Sequence, residues 1–376
     1  MTQASTSQTQ GAHGGEIFRI ARESGVTTTD IHDFSSNANS LCHDLTDSIL
    51  TAIPQGERCG YTHYPDTACT ELAQALALHE AVAEHEIIVG NGSTENIFLT
   101  FQQLAPKNVL LIGPMFSEYQ KACEIFARSY DVLPCSSAHN FSLHPADLAH
   151  TAQYDLVVLC SPNNPATITY PNMAEILRAI HSPYVLIDST YREFLYGTPT
   201  YDATHIARYR AWCNPETHII TTHSLTKFFY CTGIRLGYSI SDGETTARLR
   251  TGKMPWSVTT YAQKAGLAFL QHIDAYRSRI PALRENQQQF ADAIRACGVF
   301  QPDLIFCGVN FLFCKLCTPE DGERLYSYLL TKRILVRLCD NIPGTEKGFI
   351  RMQVRTPEEW QPLIAALTEW KAAQEA

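Results

Sequence analysis

The stretch DLVVLCSPNNPATITYPNMAEILRAIHSPYVLID, residues 155–188, decides the fold. It opens on the apolar run DLVVLC (155–160), stops at the turn SPNNP (161–165), and closes on a second apolar run, YVLID (184–188). A strand with one wet face alternates apolar and polar residues, whereas a strand covered on both faces reads as continuous apolar sequence. Neither run alternates. The same signature recurs on both sides. Ile87 to Val89 breaks at Gly90-Asn91-Gly92, VLLIG (109–113) precedes a helix near Ser117 to Ala127, and HIITTHS (218–224) and GIRLGYSI (233–240) follow. Short apolar strands separated by helices predict an α/β domain on a mainly parallel, doubly covered sheet.

On the N-terminal side, His13 to Gly25 reads as a short helix with Ile17, Ile20 and Ala21 on one face, and Thr70 to Glu86 as a helix spaced by Leu72, Ala75, Leu76 and Val82. On the C-terminal side a long helical stretch runs from Thr260 to about Cys297, and Pro281 should kink or divide it. Beyond it, VNFLFCKL (309–316), RILVRL (333–338) and FIRMQVR (349–355) alternate with the helices EDGERLYSYLLTK (320–332) and PEEWQPLIAALTEW (357–370). That is the α+β composition of a smaller second domain.

Composition narrows the function. The chain has 376 residues, 45% hydrophobic and 18% charged, enough apolar material for two packed domains. Lys+Arg 29 against Asp+Glu 38 gives a net charge of -9 with no basic run, which argues against nucleic acid or anionic membrane as a partner. The opening MTQASTSQTQGAHGG has no Lys or Arg and leads into no apolar segment, so it does not read as a signal peptide, and its first ten residues are expected to be disordered. The longest apolar runs, Val109 to Ile112 and Leu156 to Cys160, fall far short of a membrane span, and the cytosol is the expected compartment. Thirteen cysteines, an odd and scattered set, predict reduced and mostly buried thiols. Cys314 and Cys317 lack a second pair with zinc spacing, so no metal is expected.

The sharpest local feature is SLTKFF (224–229), with Arg235 eight residues after Lys227. A lysine partly desolvated beside a cation loses its proton more easily and becomes a Schiff-base nucleophile, while Ser224, Thr226 and Arg235 suit a phosphate dianion. Taken alone, the segment fits a solvated loop lysine equally well. NGSTE (91–95) stands where a strand turns into a helix, so its backbone N–H groups and hydroxyls suit either a phosphate or a plain helix cap. Asp188 ends YVLID at the strand terminus where open α/β sheets gather ligands, and there it can hold a protonated ring nitrogen or cap a helix. Phe116 suits a planar ring or the core.

In this order, NGSTE, GPMFSEY (113–119), SPNNP, LIDSTY (186–191), SLTKFF and GIRLGY (233–238) resemble the fold-type I pyridoxal-phosphate (PLP) enzymes of aminotransferase class I/II, and FIRMQVRT (349–356) extends the match. The resemblance implies a large domain, residues 46–265, with a mainly parallel seven-stranded sheet, a small α+β domain, residues 266–376, and an N-terminal arm and substrate segment, residues 1–45, that packs with the small domain. It implies that Lys227 bonds the cofactor aldehyde, that Asp188 pairs with the pyridine nitrogen, that Asn164 and Tyr191 hydrogen-bond the ring oxygen, and that Phe116 stacks on the ring. Gly92, Ser93, Thr94, Ser224, Thr226 and Arg235 would bind the cofactor phosphate. Tyr64, in HYPD (63–66), would reach the phosphate of a neighbouring subunit's cofactor, which implies a homodimer with shared active sites.

Within that group the chain is most similar to the threonine-phosphate decarboxylase family of cobamide nucleotide-loop synthesis, with histidinol-phosphate aminotransferases as near relatives. AHGGEIFRIARESG (12–25), DFSSNANSL (33–41), KMPWSV (253–258) and RILVRLCDNIPG (333–344) carry that likeness. It implies a small phosphorylated amino-acid substrate, held by His13, Gly14, Asn37, Asn39, Arg337 and Arg351, and loss of CO2 to give an amino-alcohol phosphate. Transamination of a histidinol-phosphate-type substrate is the alternative. A binding protein without catalysis would carry an attached DNA-binding module or lack the lysine, and neither is seen. The chain departs from the group at two places. The usual NPTG is Asn164-Pro165-Ala166-Thr167, and the usual Asp-Glu-Ala-Phe/Tyr is Asp188-Ser189-Thr190-Tyr191. A changed substrate such as serine phosphate is compatible with these departures, since a pocket discriminates one methyl by only ~1–3 kcal/mol. Alternation in FIRMQVR and RILVRL turns Arg351 and Arg337 the same way, and Arg355 is the better candidate for an internal ion pair.

Overall fold

A computed structural model describes residues 14–58, 60 and 62–375. The opening residues and His13 lie outside them. The first eight strands are β1 (His32–Asp33), β2 (Ile87–Gly90), β3 (Asn108–Gly113), β4 (Ser129–Pro134), β5 (Leu156–Cys160), β6 (Tyr184–Asp188), β7 (His218–Ser224) and β8 (Gly237–Ile240). Seven of them form one sheet in the order β2-β8-β7-β6-β5-β3-β4. Every pairing in it is parallel except those of β8, which runs antiparallel to both neighbours.

The absence of alternation has the expected cause. Val157, Leu159, Val185 and Ile187 enter one buried cluster, while Leu156, Val158, Cys160 and Leu186, their immediate neighbours in β5 and β6, enter a second cluster on the other face. Successive side chains on a strand point to opposite faces, so a sheet covered on both sides needs every position apolar.

The C-terminal region carries β9 (Phe300–Cys307), β10 (Phe311–Leu316), β11 (Ile334–Leu335), β12 (Arg337–Leu338) and β13 (Phe349–Gln353). An antiparallel sheet has the order β12-β13-β10-β9, and β11 pairs in parallel with β1. The helices Ile280–Ala296, Gly322–Thr331 and Pro357–Glu375 accompany it. Three alternate residues of the β13 segment also grip the N-terminal arm: Arg351 donates to the Ser35 carbonyl, Gln353 to that of Ala38, and Arg355 to that of Asp33. The arm is thereby set against the C-terminal strands with its residues 33–39 beside the β6 and β7 termini.

Several boundaries differ from expectation: the first helix begins only at Ile17, and RILVRL splits into β11 and β12 of two sheets. The helix from Thr70 ends at Glu80, because Ala81 turns left-handed at φ 54 and closes it, so Val82 is not helical. The long C-terminal stretch divides into Thr260–Gln271, Ile273–Arg277 and Ile280–Ala296, with Pro281 in the first turn of the last segment, where its missing N–H is harmless. GIRLGYSI is a strand only from Gly237 onward. The twelve cysteines of the described residues are free thiols, and no metal-binding cluster occurs among those residues. No helix among them is long and apolar enough to cross a membrane.

Candidate active site

A cavity of about 430 Å³ opens at the C-terminal ends of the parallel strands, bounded by the arm and by β12 and β13. Each strand end delivers one kind of group. β7 ends at Ser224 and passes at once into the short helix Leu225–Phe228, which places Ser224, Thr226 and Lys227 in the wall, with the Ser224 and Thr226 hydroxyls 2.8 Å apart. β2 passes through Asn91 into the helix Gly92–Leu104, whose first turn presents Ser93 and Thr94. Gly92 has φ +77, and a Cβ on it would lie 2.4 Å from an Arg235 guanidinium nitrogen, so both backbone and space demand glycine. Hydroxyls, first-turn N–H groups and a guanidinium thus converge on one corner, a site built for a dianion.

Lys227, next in sequence to Thr226 of that corner, is half-buried in the cavity wall. Desolvation, then the cations Arg351 and Arg235, bring its amine down to about 8, against the pull of Asp188 and Asp33. Asp188 is 4% exposed at the end of β6. One of its oxygens accepts from the Tyr119 hydroxyl at 2.5 Å and the other from the Thr190 backbone N–H at 2.9 Å. Burial raises its proton affinity, and the Thr190 and Tyr119 hydrogen bonds and Lys227 lower it. Phe116, at the start of the helix Ser117–Phe126, supplies an aromatic side to the cavity. Asn164 and Tyr191 line it as well, and the Tyr191 hydroxyl accepts from the Asn37 amide at 3.0 Å.

Arg337 and Arg351 are directly opposite in the β12–β13 ladder, which puts both guanidiniums on the cavity face as the alternation predicts. Like charges opposed on one face repel. Arg351 is 7% exposed, donates to the Asn164 side-chain oxygen at 2.5 Å and the Ser35 carbonyl at 3.1 Å, and leaves its Nε without a partner. No carboxylate among the described residues lies within ion-pair distance of it, and burial lowers its proton affinity. A buried cation of this kind calls for an anion from outside the chain. Arg337 donates to the Leu338 carbonyl and to Asn341 Oδ1. Arg355 has its ion pair, with Glu359 at 3.0 Å.

Other expected site residues are placed variously. Gly14 is in the wall, where a Cβ would come within 2.1 Å of the Ser35 carbonyl oxygen and 2.9 Å of Arg351. Asn37 is in the wall too. Asn39, expected at the substrate, does not line the cavity. It is 2% exposed, its amide reaches Cys42 and the Phe228 carbonyl, and its backbone N–H bonds the Lys227 carbonyl, so it braces the lysine loop from behind. Tyr64 is 79% exposed and outside its own chain's cavity, stacked on Trp256 with centroids 4.5 Å apart. His13 lies outside the described residues.

The two departures from the usual motifs have local consequences. Thr167, at the position of the usual glycine, sits left-handed at φ 64, an uncommon conformation for a β-branched residue. Thr190 adds a hydroxyl that reaches Ser93 at 3.5 Å. Tyr119 was not anticipated as a site residue. Its signal was its spacing of three residues after Phe116 in GPMFSEY, in the first turn of the helix that Phe116 caps.

The donor set fits pyridoxal phosphate: an amine of lowered basicity, a buried carboxylate for a ring nitrogen, an amide and a phenol for a ring hydroxyl, an aromatic face, and a dianion corner. Arg337 and Arg351 line the same cavity.

The model of the aminotransferase class I and II family matches residues 29–367. The threonine-phosphate decarboxylase of Salmonella typhimurium is 33% identical over 368 residues, which cover 95% of this chain and 95% of that protein. The histidinol-phosphate aminotransferase of Desulfitobacterium hafniense is 30% identical over 325 residues, 84% of this chain and 85% of its own. Among solved structures, the histidinol-phosphate aminotransferase of Sinorhizobium meliloti in complex with pyridoxal-5'-phosphate shares the fold at a TM-score of 0.80 and 16% identity, over 100% of this chain and 99% of that one.

Proposed function

Since the chain belongs to the aminotransferase class I and II family and its cofactor is pyridoxal 5′-phosphate, we propose that it decarboxylates an O-phosphorylated hydroxy-amino acid. The substrate is L-threonine O-3-phosphate or L-serine O-phosphate and the product an amino-alcohol phosphate, made in the cytosol for the cobamide nucleotide loop. The observation that carries this reading is the opposed pair Arg337 and Arg351 in the wall of a cavity that also holds Lys227. A substrate with a carboxylate and a phosphate brings one anion for each cation.

When bound, the cofactor supplies an electron sink for the charge left at Cα as one of its bonds breaks. The chain's residues do the rest. The Lys227 amine would hold the cofactor through its aldehyde carbon, with loss of water, and would deliver a proton to Cα once CO2 has left. Asp188 holds positive charge at the ring nitrogen. Asn164 and Tyr191 fix the ring oxygen, and Gly92, Ser93, Thr94, Ser224, Thr226 and Arg235 hold the phosphate, with Phe116 against the ring. Arg351 holds the α-carboxylate and Arg337, with His13, the substrate phosphate. Gly14 admits the substrate to the arm, Asn37 sets the Tyr191 hydroxyl, and Asn39 holds the lysine loop. Which bond at Cα breaks follows from which one these contacts set perpendicular to the ring.

Residues 46–265 and 266–376 act as the large and small domains, and the arm, residues 1–45, packs with the small one. Tyr64 belongs to the neighbouring subunit's site in a homodimer, which its exposure and stacking outside its own cavity support. Sedimentation of the loaded protein at working concentration should give twice the chain mass. An active monomer would refute the shared site.

The likeness to a histidinol-phosphate aminotransferase supports transamination as the second reading. Incubation with O-phosphothreonine, O-phosphoserine, or histidinol phosphate plus 2-oxoglutarate separates the two by release of CO2 or of glutamate. Arg337→Ala should weaken phosphorylated substrates by ~1.5–3 kcal/mol, the worth of a charge-assisted contact, and leave unphosphorylated threonine or serine nearly unaffected. Equal losses for both kinds would remove Arg337 from phosphate recognition.

A further inference from the structure

Tyr119 has no part in the reading above, yet it grips the carboxylate at the floor of the cavity. It is 1% exposed, its hydroxyl donates to Asp188 Oδ2 at 2.5 Å, and its ring meets that of Phe116 edge-on, centroids 5.8 Å apart and planes at 88°. An ionised carboxylate only accepts, so the direction of this bond is fixed. The second oxygen of Asp188 takes the Thr190 N–H at 2.9 Å. Donors from two separate elements, the helix Ser117–Phe126 and the turn after β6, therefore hold the group at both ends.

From this geometry we infer that Tyr119 is a positioning residue, which keeps Asp188 ionised and aimed at the ring nitrogen of the bound cofactor so that the shared proton rests on the ring. The inference rests on the reading of Asp188 as the partner of that nitrogen. Burial alone favours the protonated acid, and a hydrogen bond to the charged form opposes this. Without the hydroxyl, Asp188 keeps only the donors of Thr190, its proton affinity rises, and the proton moves from the ring toward the carboxylate. A less positive ring is a weaker electron sink. Phe116 caps the helix that carries Tyr119 and its carbonyl takes the Tyr119 N–H at 3.2 Å, so one helix start sets both the aromatic face and the support of the carboxylate.

Tyr119→Phe tests this, since phenylalanine keeps the volume and the edge-on contact and deletes only the hydroxyl. The protein is loaded with cofactor isotopically labelled at the ring nitrogen and followed by nitrogen NMR. At neutral pH the wild type should show a protonated ring and Asp188→Asn a neutral one. Tyr119→Phe should show an intermediate resonance that moves with pH where the wild-type resonance is constant. Its kcat should fall roughly 10-fold or more with KM little changed, as for a lost hydrogen bond to a charge. A wild-type resonance in Tyr119→Phe, at full cofactor content and native circular dichroism, overturns the inference and leaves the reading of Asp188 standing. A common resonance in wild type and Asp188→Asn overturns that reading itself.

Discussion

Lys227→Ala should leave a folded protein that holds no cofactor covalently and has lost turnover. The proton-transfer role of the amine alone is worth roughly 10²–10⁴-fold in rate. Folding should survive because the amine supports nothing in the core. It is half-buried with its proton affinity lowered by burial and then by Arg351 and Arg235, so its removal takes away repulsion among cations. After borohydride reduction the wild-type chain should gain the mass of the reduced cofactor and the variant should not. An equal mass gain with retained activity would sink the assignment of the lysine. The ligand-free wild type offers a pH check with a definite sign. The neutral amine is the reactive form, and with its proton affinity brought down to about 8 the rate of cofactor capture should rise with pH up to about 8 and then level off. An unperturbed lysine would give a rate still rising near the ordinary value of about 10.4.

Much of this site was legible because it lies where strands end. β5, β6 and β7 are interior strands, and their continuous apolar runs announce themselves, so Asp188 could be placed at the end of one and Asn164 and Lys227 just past the ends of the others from sequence. Besides the two-residue β1, the strands that escaped notice are β4 and β9. Both are edge strands, and each contains a proline, Pro134 and Pro302, which an edge tolerates because one side of its ladder is unpaired. Their partly exposed residues also dilute the apolar signal. Ala81 is a third kind of miss, since nothing in an alanine announces a left-handed helix end.

Site residues on the arm were harder to resolve for a different reason. Asn37 and Asn39 are two residues apart in DFSSNANSL and look equivalent in sequence. The chain bends at Ala38, whose carbonyl is taken by Gln353, so Asn37 faces Tyr191 while Asn39 turns to the back of the lysine loop. Their roles are set by long-range partners on β13, after β6 and in the short helix after β7, which no local pattern encodes.

Asp188→Asn should retain the cofactor and lose most of the rate. The amide fits the same space, and its oxygen can still take the Thr190 N–H that now bonds the carboxylate at 2.9 Å, so the turn after β6 has no cause to move. What the amide lacks is negative charge. In a site shielded from water a fixed charge acts with little screening, and a preorganised group placed where charge develops is worth roughly 10²–10³-fold in kcat. Cofactor affinity should fall much less, because the dianion corner of Ser93, Thr94, Ser224, Thr226 and Arg235 and the bond to Lys227 are untouched. The measurement is a pair: a cofactor titration followed by absorbance, and kcat at saturating cofactor. A parallel collapse of both would make Asp188 a structural support of the site, and near-normal kcat would make it a cap of the turn after β6. Only a large loss of kcat with the cofactor still bound fits a carboxylate whose work is done at the ring nitrogen.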